Sequence, residues 1–123
     1  MIDHMGVLVK DFDRAARFYE AALGTLGYHR GMAGSGVLQL VDDTDSVWIE
    51  QAAPDASPAP CHIAFRAKDV QGVKAFYRAA MDRGGSDNGE PGPRPQYGPN
   101  YYAAFVHDPQ GNNIEAVFPD YQA

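Results

Sequence analysis

The sequence predicts an α+β protein in which two β-α-β-β-β modules pack together and form a curved, mostly antiparallel sheet. Two observations support this fold class. The segment from His4 to Leu23 recurs 58 residues further along the chain, where seven of its twenty residues are identical. The two halves also end alike, in Ile49-Glu50 and in Ile114-Glu115. A repeat of this kind indicates that one supersecondary unit is present twice.

The first module, residues 1–52, opens with an apolar run over residues 2–9 that fits one strand. Asp11 is a typical helix N-cap, and the helical spacing of the apolar residues after it predicts a helix that ends near Gly24 and Gly27. Three more strands, separated by glycines and by a polar turn, are predicted at residues 28–32, 37–41 and 46–51.

The second module, residues 61–120, repeats this order after a linker over residues 53–60, whose three prolines predict a semi-rigid connection. A strand is predicted over 61–67, followed by a helix that Asp69 caps and Gly84-Gly85 ends. Further elements are predicted from turn residues and apolar runs: a long Pro-rich loop over 90–100, strands over 101–107 and 113–118, and a tight turn over 108–112. The whole chain, residues 1–123, is expected to be one domain.

Composition and charge exclude several classes of protein. Hydrophobic residues make up 45% of the chain and charged residues 21%, which is typical of a globular protein. The formal charge of −6 argues against nucleic acid or an anionic membrane as a partner, because both favour a basic surface. No apolar run approaches the roughly 20 residues of a membrane span, and the single cysteine, Cys61, cannot form an internal disulfide. A soluble, cytoplasmic protein is expected.

Four residues at repeat-related positions form a candidate metal site. Side chains of a strand alternate between its faces, and His4 and His62 lie on the first strand of each module while Glu50 and Glu115 lie on the last. A pseudo-twofold axis between the modules would bring two imidazoles and two carboxylates together. This donor set suits Zn, Ni, Co, Mn or Fe, and open coordination positions would allow the ion to polarise a substrate oxygen. A set of two histidines with Glu115, without Glu50, remains an alternative.

Each of the four residues, taken alone, also has an ordinary structural interpretation. A single histidine on an apolar strand is usually a core residue, and a single glutamate at a strand end is usually solvated. Only the combination of all four favours a metal. Six further residues share a strand face with a candidate ligand or lie near the Pro-rich loop, and they are candidates for a substrate pocket: Trp48, Arg66, Arg94, Tyr97, Tyr101 and Asn113.

Three segments resemble a known family. Residues 2–11 with Phe18-Tyr19, the strand His62–Phe65, and residues 101–115 are similar to motifs of the glyoxalase/bleomycin resistance/dioxygenase superfamily, also called the vicinal oxygen chelate superfamily. The resemblance covers nearly the whole chain. It implies paired βαβββ modules that form a cupped, partly open mixed β-sheet barrel, commonly in a homodimer. Whether the modules would pair within one chain or across such a dimer is open.

The resemblance also implies a site and an activity. Metal-binding members carry ligands on the first and last strands of each module, and these positions correspond to His4, Glu50, His62 and Glu115. Such a set is similar to that of lactoylglutathione lyase (glyoxalase I), which implies a lyase or isomerase acting on a small substrate with vicinal oxygens through an enediolate-type intermediate. Glu115 or Glu50 would then move the proton. No position matches the glutathione contacts of that enzyme.

Other activities within the superfamily stay open. An Fe(II) extradiol-type dioxygenase would use the two histidines and Glu115, although many such enzymes are longer. Fosfomycin-type thiol transferases and epimerases use similar ligands. A non-catalytic, drug-binding protein of the bleomycin resistance type would need no metal at all, and members of that type generally lack the ligand set.

Overall fold

The computed structural model describes all 123 residues and contains two four-stranded sheets, each with one helix. The first module comprises β1 (His4–Val9), α1 (Phe12–Gly24), β2 (His29–Gly34), β3 (Val37–Val41) and β4 (Ser46–Gln51). The second comprises β5 (His62–Arg66), α2 (Val70–Asp82), β6 (Ser86–Pro93), β7 (Tyr102–His107) and β8 (Asn113–Phe118).

The strand order is the same in both sheets, which confirms the predicted duplication. The orders are β1-β4-β3-β2 and β5-β8-β7-β6. In each sheet the first strand pairs in parallel with the last, and the other neighbours are antiparallel. The sheets are cupped and do not close into a barrel, so β1 and β5 each remain at an edge.

Equivalent residues start and end the two helices. The Asp11 side chain accepts a hydrogen bond from Arg14 N, and the Asp69 side chain accepts one from Gly72 N, so both aspartates are the predicted N-caps. Gly27 and Gly84 follow the helices at φ values of 100° and 95°, a conformation that favours glycine. Neither helix is long and apolar enough to cross a bilayer.

The prediction of a loop over residues 90–100 was wrong for its first part. Residues 86–93 form β6, an edge strand that pairs with β7. Its pairing register shifts on both sides of Gly89. At such bulges in an edge strand, some residues donate no backbone hydrogen bond to a neighbouring strand, so a proline, which lacks the N–H group, can be accommodated there. Pro91 and Pro93 therefore fit this strand, and only the segment from Arg94 to Tyr101 is irregular.

One face of each sheet builds the core and the other is open. Val7 and Ile49 of the first sheet and Ile114 of the second pack in one continuous core with Phe18 and Phe76 of the helices. The two modules contact each other mainly through α1 and α2. On the opposite face the side chains of β1 and β5 are exposed, including both candidate histidines. The helices therefore lie between the modules, and neither open face is covered by its own helix.

The turn between β7 and β8 connects the modules through a buried aspartate. Asp108 accepts hydrogen bonds from Tyr19 Oη of α1, from Gln110 N, and from both the backbone N and the side-chain Nδ2 of Asn112 at 2.9 Å. Asn112 Oδ1 accepts one from Cys61 N, the residue before His62. Burial and the neighbouring Asp108 carboxylate raise the pKa of Tyr19, so its hydroxyl remains a donor.

The same turn also reaches the first strand. Gln110 Nε2 donates to Leu8 O at 3.0 Å, and Gln110 Oε1 accepts from Lys10 N at 2.7 Å. One turn thus fixes the end of β1 and the start of β5, the two strands that carry the candidate histidines.

Candidate metal centre

The second module holds a histidine and a glutamate in direct contact. Because β5 and β8 are parallel neighbours with Ala64 opposite Glu115, the His62 ring lies beside the carboxylate. His62 Nε2 donates to Glu115 Oε1 at 2.9 Å. The Glu115 side chain is 2% exposed, whereas that of His62 is 52% exposed. The pair therefore has a fixed, buried carboxylate and an imidazole that solvent and ions can reach.

Tyr101 holds the second oxygen of the same carboxylate. Its hydroxyl donates to Glu115 Oε2, and burial together with the hydrogen bond and charge of Glu115 raises the pKa of Tyr101 to about 12. The phenol is thus a neutral donor at physiological pH. Both oxygens of Glu115 are engaged, one by an imidazole and one by a phenol.

The first module differs from the second in strand register. Gly6, which corresponds to Ala64 in the repeat, lies opposite Trp48, while Glu50 lies opposite Leu8. The residue at the register position of Glu115 is therefore Trp48. Glu50 lies two residues further along its strand, so the expected equivalence of Glu50 and Glu115 fails. The matching Ile-Glu pairs in the sequence could not reveal this shift, because they do not determine how the strands pair.

Glu50 partly compensates for the shift because its side chain extends back over Gly6. A Cβ atom placed on Gly6 would lie 3.3 Å from Glu50 Oε2. Glu50 forms no salt bridge, whereas His4 Nδ1 donates to Asp3 Oδ1 at 2.8 Å. The His4 side chain is 61% exposed. This half of the candidate site is open and loosely held.

Within one chain the four candidate ligands do not come together. No group of three or more His, Cys, Asp or Glu side chains is placed to hold one metal ion. The structure brings His62 to Glu115 and places Glu50 over the strand that carries His4, each pair on the open face of its own sheet. The donor types fit a divalent transition metal, but each module supplies only half of a ligand set.

Comparison with a protein-family model identifies the superfamily to which this architecture belongs. Residues 1–116 match the model of the Glyoxalase/Bleomycin resistance protein/Dioxygenase superfamily. The chain belongs to this superfamily. No curated protein matches the sequence.

Solved structures of the superfamily share the fold over nearly the full chain. A glyoxalase/bleomycin resistance protein from Albidiferax ferrireducens T118 is 29% identical with a TM-score of 0.80, covering 95% of this chain and 97% of its own. A glyoxalase/bleomycin resistance protein/dioxygenase family enzyme from Burkholderia phytofirmans PsJN is 12% identical with a TM-score of 0.75, covering 95% and 97%. A fosfomycin resistance protein from Mesorhizobium loti is 20% identical with a TM-score of 0.70, covering 96% and 91%.

The predicted pocket residues of this superfamily member lie in varied surroundings. Arg94 Nη1 and Nη2 donate to Gly92 O and Glu90 O at 2.8 and 2.6 Å, so its guanidinium supports the chain around β6. Arg66 is exposed and forms no salt bridge. Asn113 Oδ1 accepts a hydrogen bond from Asn88 Nδ2 at 3.2 Å.

Three aromatic side chains lie next to the His62–Glu115 pair or to Tyr101, its hydrogen-bond partner. The rings of Tyr97 and Tyr101 meet edge to face with centroids 5.4 Å apart. The centroid of the Phe105 ring lies 6.3 Å from that of the His62 ring. Phe105 was missed as a site residue, although it pairs directly with Glu115 across β7 and β8. Only the strand register reveals it, because the sequence shows which residues of β7 alternate but not which one lies opposite Glu115.

Proposed function

We propose that this chain is a metal-dependent lyase or isomerase of glyoxalase I type that acts on a small substrate with vicinal oxygens. The observation that carries the proposal is the His62–Glu115 pair, 2.9 Å apart on an open sheet face with the carboxylate buried beneath the imidazole. A neutral imidazole and a carboxylate are ligands that suit Zn, Ni, Co, Mn and Fe. His4 and Glu50 would supply the remaining ligands.

A second copy of the chain would complete the site. Each module offers two donors, whereas catalytic sites of zinc and related metals use about three protein ligands and an open position. Module 1 of one protomer facing module 2 of its partner would unite all four residues, and a twofold axis would create two identical sites. Both open faces are available for this, and β1 and β5 present free strand edges beside them. Exposed Leu8 would gain an apolar partner there.

The chemistry divides between the ion and the chain's own carboxylates. A bound divalent ion would polarise a substrate oxygen and so acidify the neighbouring C–H group. Glu50 lacks any salt-bridge partner and extends over Gly6, so it is the less closely held of the two carboxylate ligands, and we assign to it the second role of accepting a proton and returning it to the adjacent carbon. Glu115 is engaged on both oxygens and is better suited to remain in place.

Metal content tests the proposal. Tag-free protein purified without chelator should contain near-stoichiometric metal by mass spectrometry, and both His62→Ala and Glu115→Ala should lose it. His29→Ala is the matched control, because His29 is an exposed histidine at the start of β2 and should retain the metal. A wild type that contains no metal and refuses added Ni, Zn and Fe(II) would contradict the proposal and favour a metal-free binding protein.

Mixing two inactive variants tests the shared site. His4→Ala removes a ligand from module 1 and His62→Ala one from module 2, so neither homodimer retains a complete site. After the two are unfolded and refolded together, heterodimers would contain one intact site each, and about a quarter of the wild-type capacity should return. A site formed within one chain predicts no recovery. Recovery would therefore locate the four ligands across the dimer interface.

An Fe(II) dioxygenase is the second candidate, and the register of module 1 favours it. Because Glu50 is displaced by two residues from the position of Glu115, the ligands could reduce to His4, His62 and Glu115. Two histidines and one carboxylate with open positions are typical of non-haem Fe(II) oxygenases. Bound iron with oxygen uptake in the presence of a catechol would favour this candidate, and bound Ni, Co or Zn would favour the lyase.

A further inference from the structure

We propose that Tyr101 is a positioning residue that restricts Glu115 to one coordinating oxygen and thereby keeps a metal position open for substrate. This inference rests on the proposed metal site. It concerns how the site would be shaped, since Tyr101 itself is not expected to bind the metal. Its basis is the unequal use of the two oxygens of Glu115.

The two hydrogen bonds of Glu115 would respond differently to a metal ion. A histidine must lose the proton from the nitrogen that binds the metal. Binding at His62 Nε2 therefore removes the donor that now holds Oε1 at 2.9 Å and leaves that oxygen free. The Tyr101 hydroxyl is unaffected by this exchange and continues to donate to Oε2. Only Oε1 is then available to the ion.

The surroundings of the carboxylate make this restriction effective. Glu115 is almost fully buried between Ala64 of β5 and Phe105 of β7, so its carboxylate cannot easily turn away from its partners. A hydrogen bond to an ionised acceptor is stronger than one between neutral groups. Free carboxylates bind metals through one oxygen or two, and the phenol would exclude the second mode.

The consequence concerns substrate selection. A carboxylate that uses both oxygens would occupy two coordination positions, whereas one held by Tyr101 occupies a single position. The position kept open would allow a substrate to present two neighbouring oxygens to the same ion. Tyr101 would thus favour substrates with vicinal oxygens over those with a single oxygen donor.

A neighbouring residue provides a matched control. Tyr97 lies in the same segment, and its ring packs edge to face against Tyr101 with centroids 5.4 Å apart. It is 62% exposed and forms no hydrogen bond to the Glu115 carboxylate, whose partners are His62 and Tyr101. Tyr97→Phe and Tyr101→Phe each remove one hydroxyl from the same aromatic pair, but only Tyr101→Phe removes the bond to Oε2.

Cobalt provides a direct readout of coordination. Wild type, Tyr101→Phe and Tyr97→Phe should be freed of metal and titrated with Co²⁺, with the visible absorption recorded and the affinity measured against a competing chelator. We expect Tyr101→Phe to bind Co²⁺ about 10–100-fold more weakly, the usual loss when a residue that supports a ligand is removed. Its absorption per bound Co²⁺ should also fall, because a second carboxylate oxygen raises the coordination number. Tyr97→Phe should match the wild type.

Three results would overturn the inference. If Tyr101→Phe, shown to be folded by its circular dichroism melting curve, matches the wild type in spectrum and affinity, Tyr101 does not position Glu115. If Tyr97→Phe changes both as much as Tyr101→Phe does, the effect belongs to the aromatic pair. If the wild type binds no Co²⁺, this inference fails together with the proposed function, whereas either of the first two results would refute the inference alone.

Discussion

The two modules repeat the same elements in the same order, but they hold their candidate ligands in different ways. In module 2 the Glu115 carboxylate is buried and both of its oxygens accept hydrogen bonds, from His62 and Tyr101. In module 1 the His4 side chain is mostly exposed, and Glu50 extends over Gly6 without a salt-bridge partner. One half-site is assembled in advance and the other is loose.

Strand register explains much of this difference. A shift of two residues keeps a side chain on the same face of a sheet but moves it by about 7 Å along the strand. Glu115 therefore lies level with Ala64, next to its histidine, whereas Trp48 occupies the corresponding position in module 1. A duplicated sequence can thus keep its ligand types and its fold while the two halves separate into a fixed ligand and an adjustable one.

The turns before β4 and β8 show the same difference, since the turn of module 2 is the more firmly held. In module 2 Asp108 is buried and joins both modules through Tyr19. In module 1 the turn after β3 contains Asp42, whose carboxylate accepts only from Thr44, two residues away, through its backbone N at 2.7 Å and its hydroxyl at 3.3 Å. The turn of module 2 is thus bonded to the other module, whereas the turn of module 1 is held within its own module, by Thr44 and by the bond from Tyr28 Oη to Asp45 Oδ1.

The largest expected effect separates the two glutamates. Glu115→Gln should lower the affinity for a divalent metal by more than about 100-fold, because it removes a charged ligand from the assembled half-site. Glu50→Gln should lower it by about tenfold or less, because this side chain is less closely held. Competition with a coloured chelator measures both affinities.

Turnover should distinguish the same two variants in the opposite sense to metal affinity, with Glu50→Gln affected through the proton transfer itself. If Glu50 moves the proton, Glu50→Gln should lose turnover while it retains bound metal, so the two variants fail for different reasons. Equal losses of metal affinity in the two variants would show that the two half-sites hold the metal equally well once the dimer forms, despite their difference in the single chain.

A smaller effect is expected from the two turns. Asp108→Asn should reduce the free energy of unfolding by about 2–3 kcal/mol, because an amide has one acceptor oxygen and cannot accept from all four donors that now bond to the carboxylate. Asp42→Asn, at the exposed turn, should change it by less than about 0.5 kcal/mol. Urea unfolding of both variants measures the difference. Similar losses would mean that the buried network does not anchor module 2.

Much of the fold could be predicted because local signals and the repeat agree. The N-caps Asp11 and Asp69 mark both helices, and the alternating strands around them are found close to their predicted positions. Strand β6 was missed because Pro91 and Pro93 disfavour a regular strand. Their tolerance depends on the edge location and the bulges, which only the folded sheet determines.

The candidate site could be predicted only in part. The residue types and their strands followed from the sequence, and His62 and Glu115 do meet. Tyr101 was expected near the pocket, but its bond to Glu115 depends on how the segment before β7 folds over β8. The displacement of Glu50 could not be foreseen, because identical Ile-Glu motifs are compatible with either register.

The smallest effect, and the most specific one, is expected from Gly6→Ala. This change gives module 1 the Cβ that Ala64 already provides in module 2, and the new atom would lie 3.3 Å from Glu50 Oε2. Because an alanine restricts the unfolded chain and the flexible Glu50 can yield, the free energy of unfolding should stay unchanged or rise by up to about 1 kcal/mol. Metal affinity or turnover should nevertheless fall several-fold, because the new methyl group pushes the Glu50 carboxylate away from its present place over residue 6. Site function should therefore fall with no loss of stability, as thermal melting and metal titration of the same variant would show. If both stay at the wild-type level, Glu50 takes no part in the site, and module 1 contributes only His4.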